Sequence, residues 1–297
     1  MSSYGERYEQ YYKAVETALP DYLPQGETLQ KTVQEAMAYS LLGGGKRIRA
    51  VLCLAFCQLC GGTVEEALPF ACALEMVHAY SLIHDDLPCM DDDDLRRGKP
   101  SCHIQYGEAM AVLAGDGLLS LGFETMLGQY YTGKYPPQRV VKAAAELARA
   151  IGTGGMLGGQ VIDIEHEGKP ITGEELNILH SLKTGALIRV SARIGCIIAG
   201  ASDDIIAKAD QYAKDLGLAF QITDDLLDVT STQEALGKPI DSDQQNGKTT
   251  YATLYGLERS RQIVRELVLD ADLAIKGSVL DDPFLYQLAD QLAQRDR

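Results

Sequence analysis

Apolar positions recur along the chain at helical spacing, and the stretches that carry this period are punctuated by glycine and proline. Residues 4–19 read as a first helix, with Pro20 and Pro24 bracketing a break. Thr28 is placed to cap a helix over 29–42, which Gly43-Gly44-Gly45 ends. Residues 50–60 predict a buried helix stopped by Gly61-Gly62, and Thr63 caps the next, over 64–86. Residues 96–107 are polar with Gly and Pro and read as a loop. Helices follow over 109–131, 138–152 and 157–166, then from Thr172 over 173–199, a long one capped by Ser202, and one over 259–274. Convincing strand alternation is missing, and no repeat or composition shift divides the chain. The expectation is an all-α bundle forming one domain over 1–297, with a polar linker at 230–250.

Two acidic clusters interrupt these apolar helices. His84-Asp85-Asp86-Leu87-Pro88-Cys89-Met90-Asp91-Asp92-Asp93-Asp94 follows the apolar run 73–83, and Asp224-Asp225-Leu226-Leu227-Asp228 sits inside the long later helix. A bare run of charge is usually a solvated face. Carboxylates anchored at the ends of core helices are different, because they repel unless a counter-charge is present. A hard divalent cation such as Mg²⁺ supplies it through oxygen ligands, so the two clusters point to one shared metal site. Asp224 and Asp228 are spaced to face one way, with Asp225 aside. Asp85 and Asp91 would be about 240° out of phase on a regular helix. A distortion around 87–90, where Pro88 lacks an N–H, is therefore required for both to reach one ion.

The pair Asp-Asp-x-x-x-x-Asp (Asp85, Asp86, Asp91) and Asp-Asp-x-x-Asp (Asp224, Asp225, Asp228) resembles the short-chain trans-prenyltransferases, specifically the bacterial-type (2E,6E)-farnesyl diphosphate synthases. The resemblance extends over nearly the whole chain. It includes Gly44-Gly45-Lys46-Arg47-Ile48-Arg49, Gly158-Gly159-Gln160-Val161-Ile162-Asp163, Lys183-Thr184-Gly185 and Gly237-Lys238. It implies an isoprenoid-synthase bundle of about ten or more helices around a deep apolar cavity, a homodimer, and three Mg²⁺ ions with diphosphate bound. The implied reaction ionises an allylic diphosphate, joins it to isopentenyl diphosphate and loses a proton and pyrophosphate.

The same resemblance distributes the residues. Asp85, Asp86, Asp91, Asp224, Asp225 and Asp228 are the implied metal ligands. Lys46, Arg49, His78 and Arg97 match an isopentenyl diphosphate pocket, and Arg suits bidentate phosphate contact. Arg96, Lys183, Thr184, Gln221, Lys238 and Lys248 match positions that hold the allylic diphosphate or help it leave. Asp85, Asp91, Arg96, Lys183, Asp224 and Lys238 are expected to take part in the chemistry. Gln160 and Asp163 fit a Gly-Gly-Gln-x-x-Asp pattern, with Asp163 supporting the metal site. Ala50 departs from the family, which usually has Pro after the position of Arg49.

Tyr80 and Ser81 lie five and four residues before Asp85, about 6 to 7.5 Å along the helix axis. An aromatic ring there, with the two-residue insertion at 87–90, accompanies a C15 product in the family, so farnesyl diphosphate is the first expectation and geranylgeranyl diphosphate the alternative. A close-packed ring can act as a floor. A terpene cyclase would usually replace the second aspartate cluster, and a non-catalytic partner subunit typically loses the aspartates; an unrelated Mg²⁺-binding protein is a third rival.

Composition changes little in this picture. The chain of 297 residues is 46% hydrophobic with a net charge of −15. That charge argues against nucleic acid, which needs a basic footprint, but not against diphosphates bound through a metal. The Gly-rich run 152–159 fails the dinucleotide pattern and reads as close helix packing. Cys53, Cys57 and Cys60 share a helix face, and with Cys72, Cys89, Cys102 and Cys196 they read mainly as buried structural thiols. A polar N-terminus without an apolar leader, no run recognised as membrane-spanning, and these thiols lead to the expectation of a reducing cytoplasm.

Overall fold

A computed structural model of the chain describes residues 3–230 and 249–294. The helices are α1 (Tyr4–Tyr22), α2 (Lys31–Leu41), α3 (Ile48–Leu59), α4 (Val64–Asp85), α5 (Cys102–Tyr106), α6 (Glu108–Gly128), α7 (Pro137–Ile151), α8 (Met156–Glu165), α9 (Gly173–His180), α10 (Ala186–Ala199), α11 (Asp203–Thr230), α12 (Tyr251–Tyr255), α13 (Leu257–Ile275) and α14 (Pro283–Ala293). The all-α expectation holds. Thr63 and Thr172 each close a capping box, with Glu66 and Glu175, and Ser202 caps α11. α9 and α10 form one rod over 173–199, joined by a wide π turn at Ser181–Gly185.

Four local expectations are corrected. α1 runs through Pro20 to Tyr22, because a proline in the last turn deletes only one N–H bond. α2 starts at Lys31 rather than at a Thr28 cap; the Thr28 hydroxyl is turned to Gln34, 3.1 Å away. The expected loop at 96–107 contains a hairpin, β1 (Leu95–Arg96) and β2 (Lys99–Pro100), then α5. Its two central residues, Arg97 and Gly98, both have positive φ (54° and 73°), the geometry that matches the strand twist in a two-residue turn. α14 went unread, although Asp282 caps it and Pro283 occupies its first turn.

α4 is the central element. It packs along α6 on one side and α3 on another; α10 packs on α3 and α11, and α11 on α13. Most of α4 from Ala67 to Ile83 is buried. α6, with its C-terminal extension Glu108–Thr132, is long and apolar enough to cross a membrane by length and composition, a property the sequence reading passed over. Here it packs on α4 and α2 as part of the bundle. A smaller second core, including Leu176, Leu179, Ile222 and Tyr251, lies beneath the end where α9, α11 and α12 meet.

Candidate active site

The first aspartate cluster is bent into place by its backbone. α4 ends at Asp85, and the chain folds back on itself: Met90 N–H bonds to Leu87 C=O at 2.8 Å, and Asp91 N–H to Asp85 C=O at 2.9 Å. This is the distortion that the spacing required, and it puts Asp85 and Asp91 side by side. Across from them α11 carries the second cluster. Asp85, Asp91, Asp163, Lys183, Asp224 and Asp225 line one polar cavity of about 200 Å³.

Individual carboxylates sort differently from expectation. Asp86 is almost fully buried and turned to Arg96, whose Nε donates to it at 2.9 Å. Burial pushes the Asp86 carboxyl up to about 6 against the opposing pull of that guanidinium. It faces a separate small pocket, not the shared cavity. Arg96 reaches both spaces. Asp228 is buried and does not line the cavity, because four residues along α11 carry it about 6 Å down the axis. Asp225, expected to point aside, reaches the wall and is held there. It accepts Tyr251 N–H at 2.9 Å and Gln221 Nε2 at 3.2 Å.

The basic and amide side chains around the first cluster form a connected set. Gln160 Nε2 donates to Asp85 at 2.6 Å; Lys183 Nζ lies 2.6 Å from Asp163 and 3.6 Å from Asp85. Thr184 donates to Gln221 at 2.9 Å. Lys183 and Thr184 occupy the π turn, a distortion frequently found at functional sites. The turn approaches α8 so closely that a Cβ on Gly159 would overlap the Lys183 backbone, which accounts for the glycine pair beside Gln160. His180, one turn before Lys183, stacks on Tyr251 with ring centroids 5.7 Å apart. Sequence reasoning missed both; their signal was only their closeness to Lys183 and to the linker.

A second cavity of about 200 Å³ adjoins the first and shares Asp85, Lys183 and Thr184 with it. Its walls include Tyr80, Ser81, Met90, Met156 and Leu157. An apolar chain could therefore lie in it with a charged end at the aspartates. A neighbouring pocket of about 40 Å³, which shares His78 and Leu82 with the apolar cavity, gathers His78, Arg96, Arg97 and Arg47, whereas Arg49 lines the apolar cavity itself. Arg49 Nη1 lies 3.2 Å from His78 Nε2. An arginine only donates, so Nε2 carries the lone pair. Burial, then the neighbouring Arg49 and Arg97, hold His78 well below the usual histidine range and so neutral. Burial also pulls Arg49 down to about 10. Arg97 donates to Gly44 C=O, while Lys46 is exposed on the same segment.

Arg47 was quoted in the motif but given no role. Its guanidinium is buried between Glu16 at 2.6 Å and Glu75 at 3.4 Å. Glu75 also accepts the N–H of Ala50 at 3.1 Å, a bond that proline at this position would forfeit. Lys238 and Lys248 lie outside the described residues.

The donor set around the polar cavity is oxygen-rich, which suits a hard cation such as Mg²⁺. Among the described residues no three His, Cys, Asp or Glu side chains are gathered tightly enough to hold an ion alone. An ion bound there would complete its shell with water or with the oxygens of an anionic ligand.

A profile described as polyprenyl synthetase matches residues 30–275. A heterodimeric geranylgeranyl pyrophosphate synthase large subunit 1, chloroplastic, from Arabidopsis thaliana is 47% identical, covering 95% of this chain and 76% of its own. A geranylgeranyl diphosphate synthase from Cyanophora paradoxa is 48% identical over 86% of this chain and 85% of its own. The crystal structure of an FPP/GFPP synthase from Zymomonas mobilis superposes with a TM-score of 0.85 at 37% identity, covering 98% of each chain.

Proposed function

This chain belongs to the polyprenyl synthetase family and is a prenyltransferase, and on that premise we propose how its site works: the protein, one catalytic domain over 1–297, joins isopentenyl diphosphate to an allylic diphosphate. The allylic C–O bond breaks, a C–C bond forms, and a proton and pyrophosphate leave. The observation that carries this reading is the convergence of Asp85, Asp91 and Asp224 on one polar cavity that opens into an apolar one.

Asp85, Asp91 and Asp224 would hold Mg²⁺, with Asp225 closing the wall. When bound, the metal supplies positive charge where the leaving diphosphate develops its negative charge. Lys183, Thr184 and Gln221 orient the allylic diphosphate, and Arg96 reaches toward it. Lys46, Arg49, His78 and Arg97 take the isopentenyl diphosphate where the small pocket meets the apolar cavity at His78. Lys238 and Lys248 are proposed donors on sequence grounds alone. Met90, Met156 and Leu157 keep water from the allylic cation, which water would quench.

The relatives' names support a C20 product, geranylgeranyl diphosphate, better than the C15 product that the sequence reading put first. The C15 reading keeps one specific support: the half-buried Tyr80 ring in the wall of the apolar cavity. A homodimer is proposed, and Val112 and Leu113, exposed on α6, offer apolar surface for it. The heterodimeric relative makes a second type of subunit the rival. Seven free thiols support a reducing compartment, for which the cytoplasm is proposed.

The test is incubation of the purified protein with isopentenyl diphosphate, each of the C5, C10 and C15 allylic diphosphates, and Mg²⁺, followed by sizing of the products. Pyrophosphate release only with both substrates present is expected. Consumption of the C15 substrate with a C20 end product supports geranylgeranyl diphosphate; accumulation at C15 supports farnesyl diphosphate. Release from an allylic diphosphate alone would sink the condensation reading in favour of a cyclase or hydrolase.

A further inference from the structure

Tyr80 and His84 stand one helical turn apart on α4, and their rings meet edge to face with centroids 5.5 Å apart at 88°. His84 Nε2 is 3.0 Å from the carbonyl oxygen of Val112 on α6. A carbonyl only accepts, so Nε2 carries the proton, and the bond fixes the tautomer and the plane of the ring. The edge of the imidazole lies directly over Gly115, where a Cβ would overlap Nε2 and Cδ2. Gly115 is thus a notch in α6 that seats His84. Both rings line the apolar cavity that Asp85 and Lys183 also border, with Tyr80 about 7.5 Å along the helix axis from Asp85.

A tyrosine on a helix has two staggered χ1 positions open to it, and a floor that swings between them sets no sharp limit. Something must hold the ring. The imidazole packs against the Tyr80 ring edge to face and is itself anchored to a second helix. The wall stands near the surface: the His84 side chain is 27% exposed, and Asp116, 4.0 Å away, is 62% exposed. A gap opened here would lie beside the Val112–Leu113 face proposed for the dimer contact, where no further layer of core among the described residues backs it.

We infer that His84, seated on Gly115, is a length-determining residue that holds the Tyr80 ring as the end wall for the growing chain. This rests on the reading of the protein as a prenyl diphosphate synthase. Removing the imidazole frees the Tyr80 ring and deepens the cavity. Adding a methyl group at Gly115 drives the imidazole away from α6 and toward Tyr80, which makes the cavity shallower.

The experiment compares end products of the wild type, His84→Ala, Gly115→Ala, the His84→Ala/Gly115→Ala double variant and Tyr80→Ala, each with isopentenyl and dimethylallyl diphosphates and Mg²⁺. Product length is read separately from rate, so a variant that is merely slowed gives no false signal. His84→Ala is expected to lengthen the main product by at least one isoprene unit, and Gly115→Ala to shorten it by one. The double variant should follow His84→Ala, because without the imidazole the methyl group has room. Wild-type product from a folded His84→Ala enzyme, with Tyr80→Ala lengthening as a control, overturns the role of His84 while leaving the condensation reading intact. Should Gly115→Ala fail to fold, His84→Ala decides alone. A wild type that makes no prenyl diphosphate overturns both readings.

Discussion

Asp91 donates its backbone N–H to the carbonyl oxygen of Asp85 at 2.9 Å, across a loop that includes Pro88. That bond turns two carboxylates from different faces of a helical register toward one cavity, opposite Asp224. Asp85→Asn and Asp224→Asn should each lower turnover by on the order of 10²-fold or more, since each removes a charge aimed at the leaving group. Circular dichroism should show both variants folded. Near-normal turnover in either, at ordinary Mg²⁺, would remove the metal role assigned to it.

Metal and anion should bind together. No three acidic, histidine or cysteine side chains converge tightly among the described residues, so Mg²⁺ alone should raise the melting temperature little, and pyrophosphate alone little. Both together should raise it clearly, because a ligand that binds only the folded state stabilises it. EDTA should abolish that rise along with turnover. A full shift from pyrophosphate without metal would mean that basic side chains suffice.

The two sets of basic residues should separate kinetically. Arg97→Ala and Lys46→Ala are expected to raise KM chiefly for isopentenyl diphosphate. Lys183→Ala, which also loses the contact to Asp163, should act chiefly on the allylic substrate. Steady-state runs that vary one substrate at a time distinguish them. An Arg97→Ala enzyme impaired only toward the allylic partner would reverse the assignment.

Glu75→Gln should cost about 3 kcal/mol of stability, because it leaves the buried Arg47 guanidinium short of one of its two carboxylates. Urea unfolding measures this directly. An unchanged midpoint would show that Glu16 alone satisfies the arginine.

His78 should impose an acid-side penalty. Its pKa is held well below the ordinary value when folded, so beneath about pH 6.5 the unfolded chain binds a proton that the folded chain does not. Stability is therefore complete above that pH and falls as pH drops, by at most about 1.4 kcal/mol per pH unit. Asp86, whose carboxyl is pushed up to about 6, contributes a slope of the opposite sign. His78→Gln should flatten the wild-type loss between pH 6.5 and 5. Parallel melting curves for the two proteins would contradict this.

Local chemistry made the helices legible. Thr63, Thr172 and Ser202 mark their own starts, and helical periodicity filled in what lies between. The hairpin at Arg97-Gly98 was not legible, because a positive φ at arginine is set by what surrounds it rather than by its own preference. The two acidic clusters could be read as a site. Which carboxylate faces it could not: Asp86 turns to Arg96 and Asp225 to Tyr251, and both partners belong to other elements. Arg47 and Lys46 are neighbours in one motif, yet one is buried and the other exposed. The backbone turns left-handed at Gly44, Gly45 and Arg47, and the Arg47 guanidinium is drawn inward to Glu16 and Glu75.

The π turn at Ser181–Gly185 acts as a phase shift in the rod that joins α9 to α10. A wider turn accommodates an additional residue, and each residue advances the direction of a side chain by about 100°. Deleting one residue from this turn would restore ordinary winding without breaking the rod, so the bundle could still assemble. The flanking helices would keep their phase, and the residues inside the turn would be the ones redirected. Lys183 and Thr184 could not keep their present directions while Leu187 and Ile188 stayed in the core. One residue of winding thus separates a helix that merely packs from one that also presents an ammonium to Asp163 and Asp85 and a hydroxyl to Gln221 at the polar cavity.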